Sequence, residues 1–373
     1  MTTTTFVNNQ TVIVADWLND VDHVTYDLGI TDAGTRNLGM GSGALDSNVS
    51  GVDNLAIGLN ALTAVSTGFG NTALGINAGK TLTTSAYSTF VGAYAGEDAL
   101  RTSDVNLCVT GVGAYALANN TDGQYNTAVG HKSQELTTTG YFNNSFGSVS
   151  LSKNTTAHSN AAFGHASLEN KAAGNYNVAI GAFAGNTATN INQVTYVGYN
   201  AGVNRATGDG DTAIGYGALS QATSASPSTA VGNLAGYSLN VNGNGAFFGY
   251  NAGTLMLGGN GTAIGHQALA QETTGSSNTA LGYRAGYTQT AGFSNAMALG
   301  ANSACTASNQ VMIGDTNITE TVLAAGKFTH SPPASATPTV NGTMTFQLTN
   351  NTTLVIKVKG SDGTVRSNTL TLS

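Results

Sequence analysis

The chain contains 373 residues, of which 8% are charged and 49 are glycine, and its formal net charge is −7. This charged fraction is far below the roughly 25% of ordinary globular domains, so the composition excludes a typical single-core domain and indicates a repeat protein. The twelve Lys and Arg residues are scattered, so no basic stripe follows a phosphate backbone and we expect no nucleic-acid partner.

The first predicted element is a short helix near the N-terminus. Val14, Trp17, Leu18 and Val21 lie at i, i+3, i+4 and i+7, which is the spacing of one face of an amphipathic helix. Trp17 is the only tryptophan of the chain. Such a helix could cap the first repeat, which repeat arrays need.

Two kinds of targeting segment are not expected. Residues 1–5 are polar and lack the charged-then-apolar pattern of a secretory signal. No apolar run approaches the 18 residues that a membrane-spanning helix needs. These features favour a protein that is assembled in the cytoplasm of the cell that makes it over one that is exported and anchored in a membrane.

Most of the chain, from about residue 37 to 317, repeats one phrase, which is plainest at Asn278–Gly286. The glycine that follows a large apolar residue recurs from Gly41 to Gly314, and twelve of its sixteen intervals are 17 residues. So short and regular a period is typical of a solenoid, whose stacked rungs together form the core. At about 4.8 Å per rung, the array predicts a rod of about 77 Å.

Each rung is predicted to contain a strand that is apolar on both faces. The residue before the glycine is always large and apolar, and the residue before that is small in thirteen of seventeen rungs. We expect two short strands per rung, with the bulky face inside the coil and the alanine face against another copy of the chain. The predicted core and trimer residues are Ile57, Leu74, Val129, Ile180, Ile214, Val231, Ile264 and Leu281.

The repeat has one large insertion before it ends. The interval from Gly92 to Gly113 is 21 residues, which predicts a bulged loop, because the neighbouring rungs fix the strand register. After the last rungs a proline-rich linker at 331–338 precedes three predicted strands at 343–348, 354–359 and 364–372, too short a stretch for a core of its own. The predicted divisions are 1–36, an attachment or capping segment; 37–327, the shaft; and 328–373, linker and meander.

At this point the sequence resembles known families. The Asn-x-Ala-aliphatic-Gly-x-x-Ala rungs resemble the left-handed parallel β-roll heads of trimeric bacterial adhesins and, more closely, the repeat shafts of phage tail-fibre proteins. Residues 6–26 are similar to N-termini that join phage fibres and tailspikes to the virion. This similarity implies attachment to the virion through Trp17, Leu18 and Val21, and capping of the first repeat stays open as the alternative. The resemblance implies an all-β homotrimer with a parallel β-solenoid of about 17 rungs, a left-handed coil, and a rigid attachment role.

Residues that could carry chemistry are few. The acidic residues are sparse along the shaft, and none stand out as the carboxylate pair of a glycosidase, so we do not expect an enzyme or a bound cofactor. His131, His165 and His266 share one rung position and leave open a ring of imidazoles around an ion in a trimer. Asp209 and Asp211 leave open a calcium-binding turn.

The sequence therefore predicts a trimeric structural fibre of a phage virion that projects from the particle and attaches to the host surface. Its predicted partners are two further copies of the chain, other tail or head proteins bound through the N-terminus, and a host-surface glycan or protein. The alternatives are a head-decoration fibre, a tailspike that degrades polysaccharide, and a bacterial trimeric adhesin.

Overall fold

A computed structural model describes eleven stretches of the chain, which are residues 29–31, 36–99, 108–170, 174–205, 209–222, 227–239, 244–256, 258–287, 292–319, 344–350 and 353–371. The chain divides into two compact units, residues 1–317 and 318–373. Within the described stretches the protein is all-β and contains no helix. The predicted helix that carries Trp17, Leu18 and Val21 and the linker at 331–338 lie outside those stretches.

The first unit is a parallel β-solenoid, as the repeat predicts. Strands β2 to β18 are parallel, and each pairs in register with the strand of the next rung, as Ala56 does with Ala73. Strand β1 pairs antiparallel with β2 and so covers the edge that the first rung would otherwise expose. The bounds are β1 Gly29–Thr31, β2 Asn37–Met40, β3 Leu55–Ile57, β4 Thr72–Leu74, β5 Thr89–Val91, β6 Thr110–Val112, β7 Thr127–Val129, β8 Asn144–Phe146, β9 Ala161–Phe163, β10 Val178–Ile180, β11 Thr195–Val197, β12 Thr212–Ile214, β13 Thr229–Val231, β14 Ala246–Phe248, β15 Thr262–Ile264, β16 Thr279–Leu281, β17 Met297–Leu299 and β18 Val311–Ile313.

Each described rung has one strand of three or four residues, so the expectation of two strands per rung is wrong. After the strand the backbone enters the left-handed region at alternate residues, for example at Asn77 (φ 56°) and Gly79 (φ 58°), which prevents a second extended segment. The backbone N–H of Asn77 donates to the carbonyl of Leu59 one rung back (2.8 Å), and the backbone N–H of Gly79 donates to the carbonyl of Ala95 one rung ahead (2.9 Å). The turns therefore satisfy their backbone groups between rungs, without a strand ladder.

The core lies on the opposite face of the strand from the one the sequence predicted. The middle residue of each strand points inward, and Ala73 is fully buried, whereas Leu74 is 45% exposed. The prediction that the bulky residue fills the coil is thus wrong for the single chain. None of the eight predicted core residues is buried in it: Ile57, Val129 and Val231 are partly exposed, and Leu74, Ile180, Ile214, Ile264 and Leu281 are exposed.

The interior is narrow because other parts of the rung fill it. Leu62 and Leu82 come from the turns, are fully buried, and pack with the strand alanines. Interiors are close-packed, so this leaves room for only a methyl group at most strand positions. Phe90 is an exception, and it fits because the facing turn residues are Gly79 and Gly96, where a Cβ would meet the Phe90 ring.

A ladder of buried amides stabilises the start of the strands. The side chain of Asn54 accepts a hydrogen bond from the backbone N–H of Asn71 at 3.0 Å and donates to the carbonyl of Gly68 at 2.8 Å. Asn143 makes the same pair of bonds, to Asn160 N–H and to the Ala157 carbonyl. Each buried amide is thereby satisfied by the following rung, which explains why asparagine opens so many repeats.

The second unit contains an antiparallel sheet in the order β19-β20-β21, with bounds Met344–Asn350, Thr353–Lys359 and Val365–Thr371. These bounds agree closely with the three strands predicted from the sequence. Arg366 and Asp362 form an exposed ion pair at 2.5 Å beside the second connection, and such exposed pairs contribute little to stability.

Candidate functional site

The main candidate site is a row of apolar side chains on the outside of the solenoid, which we call the outer stripe. It consists of the residue before each repeat glycine, and strand pairing places consecutive members in register, as with Ile57 and Leu74 or Ile264 and Leu281. The stripe extends along the whole solenoid from Met40 to Ile313. Its members include the eight residues predicted as core or trimer contacts: Ile57, Leu74, Val129, Ile180, Ile214, Val231, Ile264 and Leu281.

The outer stripe is unusual for a surface of an isolated chain. Leu281 is 49% exposed and Ile180 44%, and the rings of Phe146 and Phe163 stack at 5.0 Å along it. Single exposed apolar residues are ordinary, but a contiguous apolar surface of this length marks an interaction site. Sequence analysis predicted these residues as one set and assigned them to the wrong side of the single chain.

A second set of exposed side chains forms short aromatic columns just beyond the repeat glycine. The rings of Tyr199 and Tyr216 stack at 5.5 Å with an interplanar angle of 12°. His266 lies between Tyr250 and Tyr283, with ring centroids 5.0 and 5.4 Å away. The columns arise because equivalent residues of successive rungs lie one strand spacing apart, which is close to the stacking distance of aromatic rings.

The three histidines that the sequence singled out lie in or beside these columns. His131 packs edge-on against Tyr115, and His165 against Phe183 at 5.2 Å. Among the described residues there is no group of three or more His, Cys, Asp or Glu side chains that could hold a metal ion. An imidazole ring around an ion would therefore need residues from other copies of the chain.

The second open metal alternative, a turn with Asp209 and Asp211, is not supported by the geometry. Asp209 is exposed and accepts a hydrogen bond from the backbone N–H of Asn192 at 2.7 Å. Asp211 is fully buried, and its Oδ2 lies 2.5 Å from Nη2 of Arg205, which is also fully buried. The two carboxylates thus have separate partners and do not converge on one position.

The pair formed by Asp211 and Arg205 is a polar centre that sequence analysis missed. The hydroxyl of Tyr196 donates to Asp211 Oδ2 at 3.4 Å, and the Ser228 N–H donates to Oδ1 at 2.9 Å. Burial raises the pKa of Asp211 to about 6, against the opposing pull of Arg205. Burial also raises the pKa of Tyr196 above its usual range. The cluster lies inside the coil, so it has a structural role and offers no surface to a ligand.

Other predicted features lie partly or wholly outside the described residues. Trp17, Leu18 and Val21 are among them, as are residues 100–107 of the longer interval between Gly92 and Gly113. Cys108 and Cys305 are free thiols. In the described part of the chain no helix is long and apolar enough to cross a membrane.

Comparison of the chain with protein-family models, curated proteins and solved structures finds no significant match. The function therefore has to be inferred from the surface of the solenoid itself. Its main elements are the outer stripe, the aromatic columns, and the scarcity of exposed charge.

Proposed function

We propose that this chain is a structural fibre subunit of a phage virion, which assembles as a homotrimer and attaches the particle to the host surface. The observation that carries the proposal is the outer stripe. An apolar row that extends over the whole solenoid costs solubility unless something covers it. In a fibre subunit such a row is covered, because the shaft associates with other subunits along its whole length.

A second copy of the chain is the occupant that best fits the stripe. A partner has to present apolar groups at the same spacing over the same distance, and an identical solenoid does so without further adaptation. Rotational symmetry then brings equivalent stripes together around one axis and closes the assembly. The number three comes from the resemblance of the rungs to trimeric adhesin heads and phage fibre shafts.

The assignment to a virion, and to an attachment role, rests on the same resemblance and on the similarity of residues 6–26 to virion-joining segments. In this proposal the N-terminal segment binds other tail or head proteins, and an exposed part of the shaft or the C-terminal meander contacts a glycan or protein of the host. The chain acts by binding and has no catalytic role or cofactor.

Two measurements test the proposal. Light scattering after size exclusion should give three times the chain mass of 37.5 kDa, and a stable monomer would exclude the trimeric fibre. Imaging of purified virions with an antibody to this chain should label an appendage. Label on the capsid would identify a head-decoration fibre, and label on a bacterial envelope would identify an adhesin.

A further inference from the structure

Near the middle of the solenoid the surface contains a cleft of about 330 Å³. It lies just beyond the corners formed by Gly198, Gly215 and Gly232, on the next side of the coil from the outer stripe. Its volume is at the lower end of the range for small-ligand sites. The lining residues are Asn200, Tyr216, Gly217, Ser220, Gln221, Leu234 and Tyr237.

One of the rungs that line the cleft lacks a side chain that its neighbours have. Asn200, Gly217 and Leu234 occupy equivalent positions in three successive rungs, and the backbone is left-handed at each, with φ of 56°, 61° and 54°. Since Asn200 and Leu234 adopt this conformation with a side chain, the backbone does not require glycine at 217. A Cβ there would lie 2.7 Å from Cδ2 of Leu234, so a side chain at 217 would displace the Leu234 side chain, which lines the cleft.

An aromatic ring forms one wall of this space. Tyr216 is 52% exposed, and Tyr199 of the preceding rung stacks on one of its faces. The equivalent residue of the following rung is Asn233, and within the described residues no aromatic ring stacks on the second face of Tyr216. Tyr216 lines the cleft, so its exposed ring is within reach of a ligand there.

The remaining lining is polar and uncharged. Asn200 and Gln221 carry amides, and Ser220 and Tyr237 carry hydroxyls, so the cleft offers both donors and acceptors. In the described structure the side chains of Asn200 and Gln221 make no hydrogen bond to other protein groups. Between residues 212 and 271 the sequence contains no Asp, Glu, Lys or Arg, and the nearby Arg205 and Asp211 are buried against each other.

We propose that this cleft binds a neutral polysaccharide. A sugar ring has an apolar C–H face, which fits the open face of Tyr216, and a rim of hydroxyls, which fits the amide and hydroxyl groups around it. An anionic glycan would need a cation, and none lines the cleft. No carboxylate lines it either, whereas glycoside hydrolysis requires two, so the cleft binds without cleavage. This inference rests on the proposed attachment function and names its ligand class and its place on the shaft.

The probe is a panel of neutral oligosaccharides, made of glucose, galactose and N-acetylglucosamine units, with heparin and hyaluronan as anionic comparators. We expect the purified full-length protein to bind at least one neutral member and to release no reducing ends. Calorimetric titration then measures the affinity for that member in the variants.

Two variants alter the cleft in different ways. Tyr216→Ala removes the aromatic wall, and Gly217→Asn displaces the Leu234 side chain and so changes the opposite part of the lining. Each should weaken binding at least about tenfold. Tyr250→Ala is the matched control, because Tyr250 has the equivalent position two rungs later, is 47% exposed, and lies outside the cleft.

The inference is overturned if Tyr216→Ala and Gly217→Asn both leave the affinity unchanged. It is also overturned if the protein binds none of the neutral oligosaccharides or prefers heparin. These outcomes do not affect the fibre role, which depends on the trimer mass and on virion labelling. Conversely, if the protein binds neutral glycan through Tyr216 but is absent from virions, the cleft proposal stands and the fibre proposal is excluded.

Discussion

Arg205 and Asp211 occupy inward positions that several other rungs fill with uncharged groups, although Glu272 takes the Arg205 position four rungs later. Met256 is the equivalent of Arg205 three rungs later, and Asn177 is the equivalent of Asp211 two rungs earlier. The pair therefore replaces an apolar side chain and a ladder amide. Removal of both charges from a buried ion pair is often neutral or stabilising, whereas removal of one leaves the other without compensation.

A double-mutant cycle tests this interpretation. Arg205→Met alone should destabilise the protein by about 3–5 kcal/mol, because the Asp211 carboxylate stays buried without its counter-charge. The double variant Arg205→Met and Asp211→Asn should be at least as stable as the wild type. Chemical unfolding of the four proteins at pH 7 measures the coupling, and a double variant as unstable as Arg205→Met would contradict it.

The same pair predicts a pH dependence. Burial raises the pKa of Asp211 from 3.8 to about 6, so between these values the folded state binds a proton that the unfolded chain has released. The contribution of Asp211 to the free energy of unfolding is therefore fully present below about pH 4. It falls by about 3 kcal/mol as the pH rises through about 6. The free energy of unfolding of wild type, minus that of the double variant, should fall over this window. A flat difference would contradict the prediction.

At the scale of the rung, the sequence predicted the strand positions and the period but not which face is inside. Hydrophobicity alone cannot decide this, because alanine and the bulky residue are both apolar. A usable signal lies in the exceptions. Phe90 has glycine six residues later, at Gly96, and Tyr196 has it at Gly202, whereas Ala56 is followed by Leu62. A large residue paired with glycine and a small one paired with leucine indicate shared interior space.

This exchange of volume can be tested at one rung. Phe90→Ala should cost about 3–5 kcal/mol, because it leaves a cavity. Adding Gly96→Leu recreates the pairing of Ala56 with Leu62 and should recover part of the loss. Gly96→Leu alone is the control and should destabilise, since its Cβ would overlap the Phe90 ring. Thermal unfolding of the three variants measures the effect, and an absence of rescue would mean that the two positions do not share space.

At the scale of the whole solenoid, substitution by aspartate should have different effects at two neighbouring strand residues, one inside the coil and one on the outer stripe. Ala230 is fully buried and Val231 is partly exposed on the outer stripe. Ala230→Asp buries an unpaired carboxylate and should unfold the rungs around it. Val231→Asp should dissociate the assembly and leave the single chain folded. Circular dichroism and light scattering of both variants distinguish these outcomes, and a Val231→Asp protein that remains a trimer would place the stripe outside the interface.

The last prediction concerns the two ends of the chain. Strand β1, at Gly29–Thr31, covers the edge of the first rung, so a deletion of residues 1–28 retains the cap while it removes Trp17, Leu18 and Val21. If those residues join the fibre to the virion, the deletion should leave the trimer intact and yield particles without the fibre, because the solenoid keeps its interface. Deletion of residues 318–373 should leave the fibre on the particle and weaken adsorption, if the meander contributes host contacts. Electron microscopy and adsorption counts separate the two. If the N-terminal deletion still incorporates and the C-terminal deletion does not, then the polarity is the reverse, and Trp17 belongs to the free end.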